Sequence, residues 1–288
     1  MSARTLSWLP ALSWPRYMEV LKPRETALLT FIGVVAGVIA GTPSWERISL
    51  VALAVALGSA GVNGLTNYLD RDLDARMERT RHRALPSGAI YPPEKVLPLC
   101  GGLVAAALAL AWYLSPWAMA AGLLGTATAL VGRKSSLTHL LGGISGCAPV
   151  LMGWLAVNPH FTPLLGLLVF LILAWVPLHV WSLMLACRED YLRAGVRTFP
   201  LTWEERQTRG VLLALAILVY GLSQAVYVVG GFSRAYFIVA TGLGWLLVLA
   251  SYRMLALPQG RGAWRLYKLA AFPYLGLLFL ALGLDSVL

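Results

Sequence analysis

Residues 162–187 read TPLLGLLVFLILAWVPLHVWSLMLAC and contain no Asp, Glu, Lys or Arg. A helix of about 20 apolar residues is long enough to cross the hydrocarbon core of a bilayer. The rest of the chain has the same character, because 58% of its 288 residues are hydrophobic and only 12% are charged. A water-soluble globule of this size needs more polar surface. The sequence therefore predicts an integral membrane protein.

Similar apolar stretches recur along the chain, and their continuous character favours helices over strands of alternating polarity. We expect an all-α polytopic fold with about nine transmembrane helices, although the shortest stretches are near the lower limit for spanning. The stretches cover residues 26–42, 48–66, 96–114, 116–132, 138–157, 162–187, 210–230, 235–256 and 267–286.

The distribution of positive charge predicts the orientation, since Lys and Arg near span ends are retained in the cytoplasm. With a cytoplasmic N-terminus, only Arg47 and Arg234 of the 23 Lys and Arg residues fall on the opposite side. We expect one multi-pass domain over residues 1–288 in an inner or plasma membrane, with residues 1–25 lying on the cytoplasmic leaflet. This topology explains the net charge of +10 without a nucleic-acid partner.

A polar motif follows the second apolar stretch: NGLTNYLDRDLD runs from Asn63 to Asp74. If the helix continues through it, Asn63, Asn67, Asp70 and Asp74 lie on one face, and Asp72 points elsewhere. Carboxylates one turn apart repel each other, so a cation is expected between them. Oxygen ligands from Asn67, Asp70 and Asp74 suit Mg²⁺. Phosphate oxygens and water would complete the coordination of the ion.

Basic residues surround this motif and are suited to binding phosphate, because the planar guanidinium pairs well with phosphate oxygens. An ordinary loop that only sets membrane topology also explains them, but it does not explain the stacked acids. Arg133 and Lys134, in a later loop, are equally consistent with diphosphate binding and with topology. The arginines beside the motif are Arg71, Arg76, Arg79, Arg81 and Arg83.

A second acidic pair, Glu189-Asp190, follows the sixth apolar stretch. Because the two motifs follow the second and sixth stretches, we predict two similar four-helix halves plus a ninth helix, with both acidic clusters at one cavity mouth. His179 lies within the sixth stretch, where an ionisable residue is a functional candidate, although it is often only hydrogen-bonded to a neighbour. In a regular helix, His179 and Asp190 share a face.

These motifs resemble the UbiA superfamily of membrane prenyltransferases over most of the chain, and the histidine region resembles its heme-directed branch. A departure is that no carboxylate follows Asp190 four residues later. The matching segments are Leu21-Lys22-Pro23-Arg24, the NYLDRDLD core from Asn67, Arg79-Thr80-Arg81 with Arg83, Gly142-Gly143 through Gly153-Trp154, Pro177-Leu-His179-Val-Trp181 and Asp190-Tyr191.

The resemblance implies Mg²⁺-dependent farnesyl transfer from farnesyl diphosphate to a vinyl group of heme b, giving heme O. It implies catalysis by Asp70, Asp74 and Asp190. The metal ligands would be Asn67, Asp70, Asp74, Glu189 and Asp190. The diphosphate-binding residues would be Lys22, Arg24, Arg79, Arg83, Arg133 and Lys134, and the heme-binding residues would be His179 and Trp181.

Other readings of the same residues stay open. A related enzyme would prenylate an aromatic quinone precursor or a glycerol lipid with the same diphosphate site. A transporter also has repeats and intramembrane polar residues, but here the polar residues concentrate at one membrane face. A structural subunit would not need stacked acids. A heme-supplying or oxidase-assembly protein is a possible partner.

Overall fold

The computed structural model of the protein describes residues 14–131, 138–257 and 261–287, and it contains no strand within those ranges. The predicted all-α fold is confirmed. A 3₁₀ turn covers Pro93–Lys95, and a π-helical segment covers Ala270–Tyr274. The α-helices are α1 (Trp14–Leu21), α2 (Pro23–Ala40), α3 (Trp45–Asp74), α4 (Val96–Leu114), α5 (Pro116–Val131), α6 (Thr138–Val157), α7 (Pro163–Ala186), α8 (Arg188–Arg193), α9 (Glu205–Gly230), α10 (Arg234–Ala256), α11 (Ala263–Leu269) and α12 (Leu275–Val287).

Within the described residues, 8 helices are long and apolar enough to cross a membrane. α11, the π-helical segment and α12 count together as one of them. The helix α5 is apolar but has only 16 residues. Each predicted stretch therefore corresponds to a helix, while the number nine is approximate. The protein is a multi-pass membrane protein.

Polar residues mark the starts of the long helices. The Ser44 hydroxyl accepts the Arg47 N–H at the start of α3, and the Thr162 hydroxyl accepts the Leu165 N–H at the start of α7. These bonds satisfy N–H groups that have no partner within the first helical turn. Pro163 occupies the first turn of α7, where its missing N–H costs nothing. Local sequence thus defines where the spans begin.

The spanning helices form a closed ring. Contacts join α2, α3, α4, α5, α6, α7, α9, α10 and α12 in chain order, and α12 returns to pack on α2. The helix α2 also packs across the ring on α6, where Gly33 and Gly153 allow a close approach of the two backbones. The first acidic motif lies at the end of α3 and the second on α8, directly after α7, so the two motifs follow helices in different halves of this ring.

Candidate active site

The amide side chains of α3 tie this helix to its neighbours. As predicted, α3 continues through the motif to Asp74, which places the amides and acids on one face. Asn63 Nδ2 donates to Thr26 Oγ1 at 3.2 Å, and Asn67 Nδ2 donates to the Val20 carbonyl at 2.7 Å. The second bond orients the Asn67 amide, so its oxygen points away from Val20.

Asp74 and Asp72 have opposite environments. The Asp74 side chain is 13% exposed, and its Oδ2 accepts a hydrogen bond from Arg83 Nη1 at 3.0 Å. Its main-chain oxygen accepts one from the Thr80 hydroxyl at 2.9 Å. The Asp72 side chain is 73% exposed. These exposures agree with the prediction from the helical period that Asp72 points away from the face that carries Asp74.

A small apolar cluster holds the arginine-bearing loop in place. It joins α1, the loop after α3 and the start of α4, and it is separate from the main core of the ring. A loop anchored in this way presents its basic side chains in a defined place. The buried members are Val20, Ala84, Leu85, Ile90, Val96 and Cys100.

A cavity of about 340 Å³ opens beside this cluster. Its wall brings together five of the predicted site residues: Lys22, Arg24, Asn67, Asp74 and Arg83. Glu19 and Glu25 also line it, and the sequence analysis missed both. The signal for Glu25 was its position directly after Arg24 in a motif already singled out.

Lys22 has an unusual backbone conformation at the cavity wall. It links α1 to α2 with φ 49°, and it is the one non-glycine residue with positive φ in the described ranges. Such conformations cost about 1–3 kcal/mol and persist where packing on both sides enforces them. Because strained residues cluster at functional sites, this geometry supports a role for Lys22 in binding.

Asp190 connects the second motif to the loop of the first. Its Oδ1 accepts the Glu78 main-chain N–H at 2.7 Å, and its Oδ2 accepts the Arg79 N–H at 3.2 Å. The second motif therefore reaches the loop that follows the first motif, but Asp190 is absent from the residues that line the cavity. In this arrangement its carboxylate organises the loop.

We expect Asp190→Ala to speed amide hydrogen exchange at Glu78 and Arg79, because two charge-assisted hydrogen bonds are lost. Hydrogen–deuterium exchange mass spectrometry of the detergent-solubilised protein measures this change. Glu189→Ala is the matched control and should leave the loop unchanged. Equal exchange in the two variants would show that Asp190 does not hold the loop.

Glu189 lies away from the cavity. Its side chain is 84% exposed and accepts a hydrogen bond from Arg193 at 2.9 Å. The structure therefore does not bring this predicted metal ligand to Asn67 and Asp74. Asp70 is half-buried on α3. Arg133 and Lys134 lie outside the described residues.

Arg79 points to the second motif. Its guanidinium interacts with the Tyr191 hydroxyl and the Cys187 thiol. Burial raises the pKa of the Tyr191 phenol, and the Arg79 charge opposes that rise. Arg79 Nε is buried and finds no hydrogen-bond partner among the described residues. Tyr191 is a further candidate site residue, and no role was predicted for it from the sequence.

The donor set fits Mg²⁺ only with help from a substrate. No group of three or more His, Cys, Asp or Glu side chains that would hold a metal occurs in the described parts of the chain. Asn67, Asp70 and Asp74 would supply oxygen atoms from one helix face. Mg²⁺ accepts such a partial set, because it keeps waters and takes phosphate oxygens as further ligands.

The prediction that His179 and Asp190 share a helix face is wrong. The helix α7 ends at Ala186, and Cys187 has non-helical angles (φ −112°, ψ 29°) before α8 begins. Asp190 therefore lies on a separate short helix, and the three-turn spacing does not apply. Pro177, by contrast, lies within α7 without ending it.

His179 and Trp181 contact different neighbours. The His179 ring stacks on Trp175 and Tyr267. Trp181 packs edge-on against His139 at 5.7 Å and Phe199 at 4.4 Å between ring centroids. His179 Nδ1 and Trp181 Nε1 are buried, and neither has a hydrogen-bond partner in the part of the chain that the structure describes. Unpaired buried polar atoms are costly, which makes both rings candidates for ligand contact.

Comparison with known proteins identifies the family. Residues 27–281 match the UbiA prenyltransferase family. Protoheme IX farnesyltransferase of Desulforudis audaxviator is 36% identical over 279 residues, covering 93% of this chain and 87% of that protein. Protoheme IX farnesyltransferase 1 of Picrophilus torridus is 36% identical over 275 residues, covering 91% of each.

A solved structure has the same fold. The UbiA homolog from Archaeoglobus fulgidus bound to DMAPP and Mg²⁺ superposes with a TM-score of 0.69 at 17% identity, covering 94% of this chain and 99% of that one. The family match covers the acids of α3, of which Asp74 lines the cavity, and the acidic pair of α8. The chain therefore belongs to the UbiA prenyltransferase family and is a membrane prenyltransferase.

Proposed function

We propose that this enzyme transfers the farnesyl group of farnesyl diphosphate to a vinyl group of heme b and so forms heme O. The observation that carries the donor side is the cavity in which Lys22, Arg24 and Arg83 lie with Asn67 and Asp74. The names of the relatives at 36% identity support farnesyl as donor and heme as acceptor.

On the donor side, basic side chains bind the diphosphate. Lys22, Arg24 and Arg83 stabilise the negative charge that develops on the leaving group, which is the charge that changes most in the reaction. Asn67, Asp70 and Asp74 would hold Mg²⁺, which supplies further charge neutralisation for the diphosphate when bound. The Mg²⁺ and DMAPP in the A. fulgidus homolog support this use of a divalent metal.

On the acceptor side, we assign heme contact to the edge of His179. Its Nδ1 atom is buried and unpaired within the described residues, while Trp175 and Tyr267 stack on the ring. Trp181 belongs to a neighbouring aromatic group and offers a second unpaired nitrogen. A His179→Ala enzyme with wild-type heme affinity and turnover would contradict this assignment.

The reaction balances with one water. The C1–O bond of farnesyl diphosphate breaks, and the electron pair leaves with diphosphate. The vinyl group attacks C1 of the allylic cation, water adds to the carbon beside the porphyrin ring, and one proton is released. An apolar bundle protects the allylic cation until the vinyl group attacks, so water must enter in a controlled way.

The active site faces the cytoplasm in this proposal. Only Arg47 and Arg234 of the 23 Lys and Arg residues fall on the other side, which supports a cytoplasmic N-terminus and cytoplasmic acidic motifs. Soluble farnesyl diphosphate would then reach the cavity directly. Heme delivery and product transfer by a partner protein would also take place at this face.

The test is to incubate the purified protein with Mg²⁺, farnesyl diphosphate and heme b, and to measure products by mass spectrometry. Parallel reactions contain 4-hydroxybenzoate or a glycerol phosphate lipid as acceptor, or EDTA. We expect heme O, and we expect EDTA to abolish it. Prenylation of one of the other acceptors with no heme O would keep the prenyltransferase and overturn the acceptor.

A further inference from the structure

The His179 ring stacks on two other aromatic rings. Trp175 lies at 5.0 Å between centroids, with the planes 7° from parallel. Tyr267 lies at 4.7 Å, with the planes 25° apart. Trp264 lies beside Tyr267 at 5.2 Å, with the planes tilted by 32°. With two rings stacked on it, the imidazole offers its edge to a ligand.

An irregularity in the last span fixes the Trp175 ring. Ala271 has non-helical angles within the π-helical segment. Such a break leaves carbonyl groups of the preceding turn without their helical partners, and they need other donors. Trp175 Nε1 donates to the Ala270 carbonyl at 2.6 Å. The hydrogen bond that satisfies the Ala270 carbonyl thus also fixes the orientation of the Trp175 ring.

Tyr267 is also near charged residues of the donor side. Its phenol lies within electrostatic range of Arg79 and Arg83 on the loop after α3, and of Glu25 on α2. Arg83 and Glu25 line the cavity itself. Tyr267 therefore stacks its ring on the acceptor histidine and lies within electrostatic range of charges that would bind the donor diphosphate.

We infer that Tyr267 is a positioning residue that aligns the acceptor with the donor, its ring holding His179 edge-on to the heme. This inference deepens the proposed function and depends on it. The helix α11 packs on α7, and the stacked pair of Tyr267 and His179 lies at this contact. The position of the Tyr267 ring thus constrains the imidazole.

The experiment compares Tyr267→Leu with Tyr267→Phe in the full-length protein. We expect Tyr267→Leu to raise KM for heme by about tenfold, as loss of a stacked aromatic pair implies. KM for farnesyl diphosphate should stay unchanged, and the visible spectrum of bound heme should shift. Tyr267→Phe keeps the ring and should restore the wild-type heme KM and spectrum.

Controls separate this inference from the proposed function. Tyr252→Leu, at an exposed position of α10, should behave as wild type. Tyr267→Met, whose flexible side chain fills a similar space, replaces Tyr267→Leu if that variant does not fold. Wild-type protein that makes no heme O refutes the proposed function. Wild-type protein that makes heme O, with unchanged heme KM and spectrum in Tyr267→Leu or Tyr267→Met, refutes only the positioning role.

Discussion

Asp74→Asn is expected to lower the rate of farnesyl transfer by about 100-fold or more, the range found when a preorganised electrostatic group is removed from an active site. The carboxylate is mostly buried, lines the cavity and accepts a hydrogen bond from Arg83 at 3.0 Å. Asparagine keeps the shape but removes the negative charge. The variant therefore loses a proposed metal ligand and releases the partner that orients Arg83.

Initial rates of heme O formation, measured across a Mg²⁺ titration, check this expectation. We expect the Mg²⁺ concentration for half-maximal rate to rise in Asp74→Asn. Asp72→Asn is the matched control, because it changes the same chemical group two residues away on an exposed face of α3. The control should stay within about twofold of wild type, as is usual for surface substitutions. Similar rates in the two variants would remove Asp74 from the mechanism.

The sequence supports the prediction of α3 and its polar face because both depend on local periodicity. Asn67, Asp70 and Asp74 follow the helical repeat, and the apolar run that precedes them is long enough to form a helix across the membrane. The opposite exposures of Asp72 and Asp74 follow from the same repeat. Such features need no knowledge of distant contacts.

The parts that could not be predicted depend on contacts between distant segments. The helix breaks at Cys187, although the composition on both sides of this residue permits a helix. Periodicity alone therefore predicted one continuous helix as far as Asp190. The bonds from Asp190 to the loop amides cross 112 and 111 residues. The stacking of Tyr267 on His179 likewise joins two spans. Almost any residue can offer a backbone N–H, so the sequence does not show which amides will bind a carboxylate. Asp190 was therefore interpreted as a metal ligand.

Gly153→Ala is expected to destabilise the fold more than other glycine substitutions in the spans. A Cβ added at Gly153 would overlap the Gly33 carbonyl oxygen and lie 2.7 Å from the carbonyl carbon. These are backbone atoms of α2, so the clash cannot be relieved by a side-chain rotation. We expect the thermal transition to fall by at least about 5 °C, as overpacking of a core implies.

Gly166→Ala on α7 is the control, because no atom lies within 4 Å of the added Cβ, and its transition should stay close to wild type. Thermal unfolding in one detergent, followed by size-exclusion fluorescence, compares the two. Equal transition temperatures would mean that α2 and α6 separate easily.

The Gly153→Ala substitution should also affect the active site, since α2 begins at Pro23, between the cavity residues Lys22 and Arg24. A displaced α2 moves those cations, so purified Gly153→Ala should also show a raised KM for farnesyl diphosphate.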